Sequence, residues 1–265
     1  MACVSENLVL LHGFAGTRHT WDGVVALLDS ERYTPLALDL PGHGQAAAVA
    51  EAWDPAPHSK ASSRPAIALT ACIEHVLAGC PERFVLCGYS LGGRVALHIA
   101  LAAPARVLGL VLVSSTAGIA DDTERAARSA ADEALADDLE TRTFAEFMDR
   151  WETQPVFLGD PPAVHAAMRA EQQRNDPHAL AAVLRGLGTG AMPPLWERLA
   201  ELAMPVTVLV GERDRKFHAP GRRMVELLPD AELRIVPGGH RLPLESPAAV
   251  AEAIMRASDR SPRLP

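Results

Sequence analysis

Phe84-Val85-Leu86-Cys87-Gly88-Tyr89-Ser90-Leu91-Gly92 is an apolar run that ends in Gly-x-Ser-x-Gly and passes directly into a helical pattern. The run Phe84 to Cys87 reads as a buried strand, and Leu91 to about Ala103 reads as a helix with Val95, Ile99 and Ala102 on its apolar side. Glycine at 88 and 92 leaves room for a tight strand-to-helix turn. Such a turn lifts the Ser90 hydroxyl to the carboxyl edge of a sheet and sets the Leu91 amide at a helix N-terminus, ready to donate to an oxyanion.

On either side of this stretch, short apolar runs alternate with helical patterns, the signature of a parallel sheet covered on both faces. Strands are expected at Leu8 to Leu11, Thr34 to Leu38, Phe84 to Cys87, Leu108 to Val113, Val206 to Val210 and Glu232 to Val236. Helices are expected at Trp21 to Leu28, Ala66 to Ala78, Leu91 to Ala103, Arg222 to Leu228 and Pro247 to Met255. Between Ala47 and Pro65, prolines among Ala and Ser read as a surface loop. From about Ala117 to Leu202 the alternation stops, and helix-forming runs of Ala, Glu, Asp and Arg take over. The expected organisation is therefore one α/β domain, residues 1–116 and 203–265, carrying a helical lid insertion, residues 117–202.

The 265 residues, 48% of them hydrophobic, suffice for a full core. A net charge of −8 argues against nucleic acid and anionic membranes as partners. No apolar run approaches the ~20 residues that span a bilayer, and the first residues lack a basic leader, so a cytoplasmic protein is expected. Cys3, Cys72, Cys80 and Cys87 lack metal or redox spacing and read as reduced and structural; no metal site is suggested.

An activated serine needs a base, and the base needs a third group to fix its tautomer. Both follow strands of their own. Val206 to Val210 runs into Gly211-Glu212-Arg213-Asp214, and Glu232 to Val236 runs into Pro237-Gly238-Gly239-His240. Asp214 is preferred over Glu212 and Asp230, which read as solvated acids. Among ten histidines, only His240 follows a strand through two glycines. His12-Gly13-Phe14-Ala15-Gly16 after the first strand offers the second half of an oxyanion hole, with the Phe14 amide as donor beside that of Leu91. His12 itself reads as a structural group holding that loop.

These motifs resemble the α/β-hydrolase superfamily over nearly the whole chain. Further residues resemble one family within it, the 2-succinyl-6-hydroxy-2,4-cyclohexadiene-1-carboxylate synthases of menaquinone biosynthesis: Arg94 in the serine helix, Glu124-Arg125-Ala126-Ala127-Arg128, Trp151 with Gln154-Pro155-Val156-Phe157, and Gly211 to Phe217. The resemblance places Tyr89, Arg94, Arg128 and Trp151 in a pocket for a small-molecule tricarboxylate. The family has one more arginine, on a later lid helix; the matching stretch, Arg169 to Asn175, holds glutamine at that position, which leaves Arg174 or Arg169 as the substitute. Gln45 also departs from the family's serine, and the antiparallel strand pair common at the start of the superfamily is expected to be missing.

The resemblance implies a lyase that expels pyruvate from 2-succinyl-5-enolpyruvyl-6-hydroxy-3-cyclohexene-1-carboxylate without a cofactor. Ser90, activated by His240, would act as a base. The same three residues suit a carboxylesterase or C–C bond hydrolase acting on an acidic small molecule, because fold does not settle reaction. A binding protein with a vestigial hydrolase fold is disfavoured by the complete set Ser90, Asp214 and His240.

Overall fold

The computed structural model describes residues 5–47 and 64–261; Cys3, His58 and most of the loop expected between Ala47 and Pro65 lie outside them. Six strands form one sheet: β1 (Glu6–Leu11), β2 (Tyr33–Leu38), β3 (Phe84–Tyr89), β4 (Val107–Val113), β5 (Val206–Gly211) and β6 (Ala231–Val236). Their order is β2-β1-β3-β4-β5-β6, and every pairing among the described residues is parallel. All six expected strands are present. The α/β-hydrolase expectation of a parallel sheet with helices on both faces holds.

The helices are α1 (Asp22–Val25), α2 (Leu69–Gly79), α3 (Leu91–Ala102), α4 (Asp122–Thr141), α5 (Phe144–Glu152), α6 (Pro162–Gln172), α7 (Pro177–Leu187), α8 (Arg215–Leu227), α9 (Leu242–Glu245) and α10 (Pro247–Arg260). Because side chains alternate along a strand, Val9 and Leu11 join the core that includes Val76 of α2, Val95 of α3 and Met224 of α8. Leu8 and Leu10 face the other way, into a core with Val24 of α1 and Ile254 of α10. The central strands β3 and β5 are buried along their whole length, whereas β2 and β6 at the edges are partly exposed.

Several helix boundaries differ from expectation, among them the end of α10, which runs past Met255 to Arg260. The first helix shrinks to α1 behind a 3-10 turn, Arg18–Trp21. Next, α2 begins at Leu69, because the Ile67 amide donates to Ala182 O of α7 at 3.2 Å and holds the chain extended. Finally, α8 begins at Arg215 and runs through Pro220. Proline ordinarily marks a helix boundary, but here it stands only one turn inside, where few intrahelical bonds are lost.

Between β4 and β5, helices α4 to α7 build a small core of their own from Leu139, Phe147, Met168 and Leu180, to which Ala15 of the main body contributes. Arg185 of α7, 4% exposed, is paired with Glu133, Asp137 and Glu140 of α4.

The sheet's strand order reverses between β1 and β3. In open parallel sheets ligands bind beyond the carboxyl ends of the strands at such a switch point, and Ser90 stands there. The turn is very close-packed: a Cβ on Gly92 would overlap the carbonyl oxygens of Leu11 and His12, and one on Gly88 would overlap Gly92 O. Gly92→Ala is therefore expected to lower the unfolding free energy by about 3 kcal/mol or more. Gly23→Ala in α1, where a Cβ meets only Pro247 at 3.6 Å, should be neutral or stabilising by about 0.5–1 kcal/mol. Urea unfolding compares the two, and a Gly92→Ala protein as stable as its parent would remove the close-approach argument.

Candidate active site

Ser90 stands between β3 and α3 with φ 52° and ψ −109°. That conformation costs about 1–3 kcal/mol in a residue with a Cβ and persists because the surroundings fix it. The Ser90 amide donates to Val113 O at 2.9 Å, while Ser90 O accepts from Arg94 N at 3.2 Å and from Ser115 Oγ at 2.9 Å.

Asp214 comes directly after β5, and β6 leads through Gly238 and Gly239 to His240. His240 Nε2 is 3.1 Å from Ser90 Oγ, and Nδ1 is 2.9 Å from Asp214 Oδ2. A carboxylate only accepts, so Nδ1 carries the ring hydrogen and Nε2 turns a lone pair toward the hydroxyl. The loop is fixed by Arg213 N donating to Gly238 O at 3.0 Å and Gly239 N donating to Glu245 Oε2 at 2.7 Å. Rings of Phe217, Tyr89 and Phe157 surround the imidazole at centroid distances of 4.9, 5.3 and 5.9 Å. Burial pushes the Tyr89 phenol far up, so it stays neutral. Of the competing acids, Glu212 and Asp230 are exposed.

The loop after β1 lies against this turn: a Cβ on Gly13 would sit 2.8 Å from the Tyr89 ring and 3.4 Å from Ser90 Cβ. Ala15 in the same loop adopts φ 58°. It is tied down from the helical segment by Asn175, whose Nδ2 donates to Ala15 O at 3.0 Å and whose Oδ1 accepts from Gly44 N at 3.0 Å. His12 holds the loop as expected. Its Nε2 accepts from Leu40 N at 3.0 Å, which leaves Nδ1 to donate to Gly13 O at 2.8 Å.

One cavity gathers these parts. Ser90, His240, Phe14, Leu91, Tyr89, Arg94, Arg128 and Trp151 all line it; Asp214 stands behind His240. The placement of Arg174 is corrected. It projects from the turn after α6, half exposed and paired with Glu171 at 3.3 Å, and it lines a different cleft beside Thr17 and Gln45. Arg169 is likewise turned to solvent, paired with Asp149. Neither lines the Ser90 cavity; of the two glutamines in that stretch, Gln172 is buried and donates to Glu152 at 2.9 Å.

A third cation comes instead from α8. Lys216, in the first turn of α8, lines the cavity with Gln154, Phe157 and Phe217. Lys216 lies within the Gly211 to Phe217 motif, and its direction follows from α8 starting at Arg215. Arg94 is anchored by neutral acceptors, Leu187 O at 2.9 Å and Met192 Sδ at 3.4 Å. Burial, then the charge of Arg128, push its guanidinium down to about 10. Burial also lowers the Lys216 ammonium, and the charges of Arg128 and Arg94 add to that. Among the described residues neither Arg94 nor Lys216 has a carboxylate partner, whereas Arg128 shares Asp132 at 2.8 Å. Anions are what this wall can bind. Among the described residues no group of three or more His, Cys, Asp or Glu could hold a metal ion, and no helix is long and apolar enough to cross a membrane.

The chain belongs to the alpha/beta hydrolase family, whose profile matches residues 8–253. Two of its relatives are named 2-succinyl-6-hydroxy-2,4-cyclohexadiene-1-carboxylate synthase. The one from Serratia proteamaculans (strain 568) is 34% identical over 92% of this chain and 89% of its own. The one from Enterobacter sp. (strain 638) is 33% identical over 93% of this chain and 89% of its own. Among solved structures, MenH from S. aureus superposes with a TM-score of 0.82 at 28% identity, covering 96% of this chain and 93% of that one. The resemblance read from the sequence is thus the one the comparisons return.

His12 is fully buried and neutral: burial foremost lowers its pKa from 6.5 to about 4, against smaller raising contributions from Gly13 and Asp39. Burial lowers His43 in the same direction. Unfolding exposes these imidazoles and lets them take up protons below pH 6.5, so stability is full above that pH and falls as pH drops toward 4. His12 alone should remove about 2 kcal/mol between pH 7.5 and pH 5. Urea unfolding at the two values measures it, and a flat profile would contradict a neutral buried pair.

Proposed function

We propose that the protein is a carbon–oxygen lyase of menaquinone biosynthesis, eliminating pyruvate from 2-succinyl-5-enolpyruvyl-6-hydroxy-3-cyclohexene-1-carboxylate to give 2-succinyl-6-hydroxy-2,4-cyclohexadiene-1-carboxylate. The observation that carries this reading is the wall of Arg94, Arg128 and Lys216 beside Ser90 and His240 in one cavity. A substrate with three carboxylates supplies the anions that Arg94 and Lys216 lack, and a planar guanidinium suits bidentate contact with a carboxylate. The names of the relatives point to the same reaction.

Ser90 acts as the base. As Oγ takes the ring proton next to the succinyl ketone, its own proton passes to His240 Nε2, 3.1 Å away, and Asp214 stabilises the imidazolium. The electron pair moves onto the ketone oxygen, which the amides of Phe14 and Leu91 receive as an enolate. It then returns through the ring double bond and breaks the carbon–oxygen bond to enolpyruvate. The proton on His240 restores neutrality, and enolpyruvate tautomerises to pyruvate. The balance requires no water or cofactor. Residues 117–202 act as a lid on a core formed by 1–116 and 203–265, and Trp151 and Phe157 from that lid keep water from the enolate. A cytoplasmic setting fits the free thiols of Cys72, Cys80 and Cys87.

The test is product analysis. Turnover of the enolpyruvyl substrate should release one pyruvate per diene, with a primary isotope effect when the ring proton is deuterated and chemistry limits the rate, and with no acyl-enzyme burst. A burst on aryl esters without pyruvate from the enolpyruvyl substrate would make the protein an ester or C–C bond hydrolase, which the same Ser90–His240 contact also serves.

The cation wall gives a second test. Arg94→Ala and Lys216→Ala are each expected to lower kcat/KM by roughly 10² or more, with Arg94→Lys recovering little because it lacks the planar fork. Rising salt should weaken binding in the parent and less so in the variants. Unchanged kinetics in both variants would detach the wall from substrate binding.

A further inference from the structure

We infer that Arg241 is the positioning residue that latches the helical segment over the Ser90 cavity and sets Trp151 and Phe157 against it. Arg241 follows His240 in sequence and belongs to the main body, yet its side chain, 1% exposed, is spent entirely on groups from the inserted helices. Its Nη1 and Nη2 form a two-pronged pair with Glu152 Oε2 and Oε1 at 2.8 and 2.6 Å. Nη1 also lies 3.3 Å from Asp160 Oδ2, which is equally buried. The guanidinium stacks on Phe157 with its carbon 4.0 Å from the ring centroid.

These partners are the ones that shape the pocket wall. Glu152 ends α5 and is the neighbour of Trp151, whose ring packs on Phe14 at 4.9 Å and on Phe157 at 6.1 Å. Phe157 in turn stands 5.9 Å from the His240 ring. Glu152 is also bonded by His165 Nδ1 at 2.7 Å and Gln172 Nε2 at 2.9 Å, which brings α6 into the same knot. A bidentate guanidinium contact fixes direction as well as distance, so one core side chain sets the rotation of α5 and the seat of Phe157 together. A second attachment, Asn175 on Ala15 and Gly44, ties the segment to the loops after β1 and β2. Loss of Arg241 therefore frees one rim and leaves the other held, so that the segment tilts without detaching. His240 takes its own orientation from Asp214, and the latch acts on the substrate's walls, not on the base.

The kinetic arm rests on the lyase reading; the spectroscopic arm rests on geometry alone. Arg241→Met should raise KM for the enolpyruvyl substrate by roughly tenfold while kcat stays within about threefold, and Arg241→Lys should recover part of the loss. Glu152→Gln should act in the same direction, and the double variant should be little worse than the poorer single one, because the two side chains form one contact. The emission of Trp151, obtained by difference against Trp151→Phe, should shift to the red in both single variants, and trypsin should cut the 117–202 segment faster. If Arg241→Met does not fold, Glu152→Gln reads the same latch from the other side. Additive losses, an unshifted Trp151 emission, or a fall in kcat with KM unchanged would overturn the inference. A parent protein that releases no pyruvate would sink the lyase reading and leave the latch to be decided by emission and proteolysis.

Discussion

Everything at the site depends on how closely the first turn of α3 descends on the end of β1. Gly92 meets the carbonyls of Leu11 and His12, and Gly88 meets Gly92 itself, at separations that only a hydrogen in place of Cβ permits. With the helix held that low, the chain between β3 and α3 has no extended route, and Ser90 is driven to φ 52°. Its amide reaches Val113 O because the parallel register pairs Tyr89 with Val113. The same descent brings Gly13 against Ser90 Cβ, so the serine and the loop that faces it are set by one contact. The cost of the strained residue, of order 1–3 kcal/mol, is offset by the buried strands that enforce it.

The protein carries a net charge of −8, yet its cavity is cationic, and the treatment of buried arginines shows how. Arg185 has three acids around it and behaves as a structural tie between α4 and α7. Arg241 has two, and ties core to helices. Arg94, half-buried, is held only by a carbonyl and a thioether. Leaving a buried cation unpaired is costly, and burial with the Arg128 charge lowers it to about 10, which still leaves it protonated at neutral pH. A positive charge left unneutralised beside Ser90 is poised for an anion that arrives with the substrate. The acidic exterior does not cancel this, because exposed charges beyond a Debye length are screened while the buried ones are not.

The sheet was legible in the sequence because each strand is a short apolar run, and Ser90, Asp214 and His240 were legible because each stands just past one. Arg94, Arg128 and Trp151 were legible through the family resemblance, with which the place of Arg94 one turn beyond Ser90 agrees. What escaped depends on information the local pattern does not carry. Pro220 concealed the start of α8 at Arg215, and with it the direction of Lys216. Arg174 was assigned by sequence neighbourhood, but the turn after α6 points it outward and the buried glutamine precedes it. The pairing of Arg241 with Glu152 joins residues 89 apart in the chain, and nothing in either local sequence announces it.

Ser90, His240 and Asp214 do not by themselves distinguish a base from a nucleophile, since a hydroxyl 3.1 Å from an imidazole can take a proton or attack a carbonyl. The discrimination has to come from where the substrate is held. A nucleophile needs a carbonyl carbon in line with Oγ and a water to finish the reaction, whereas a base needs only a C–H within reach and a dry place for the enolate. Trp151 and Phe157 line the cavity and Arg94 and Lys216 offer carboxylates a cationic wall, which suits the proposed proton removal from an acidic substrate. The helical segment supplies Arg128, Trp151 and Phe157 to the cavity, and it is this segment that the proposed reaction calls on beyond Ser90, His240 and Asp214.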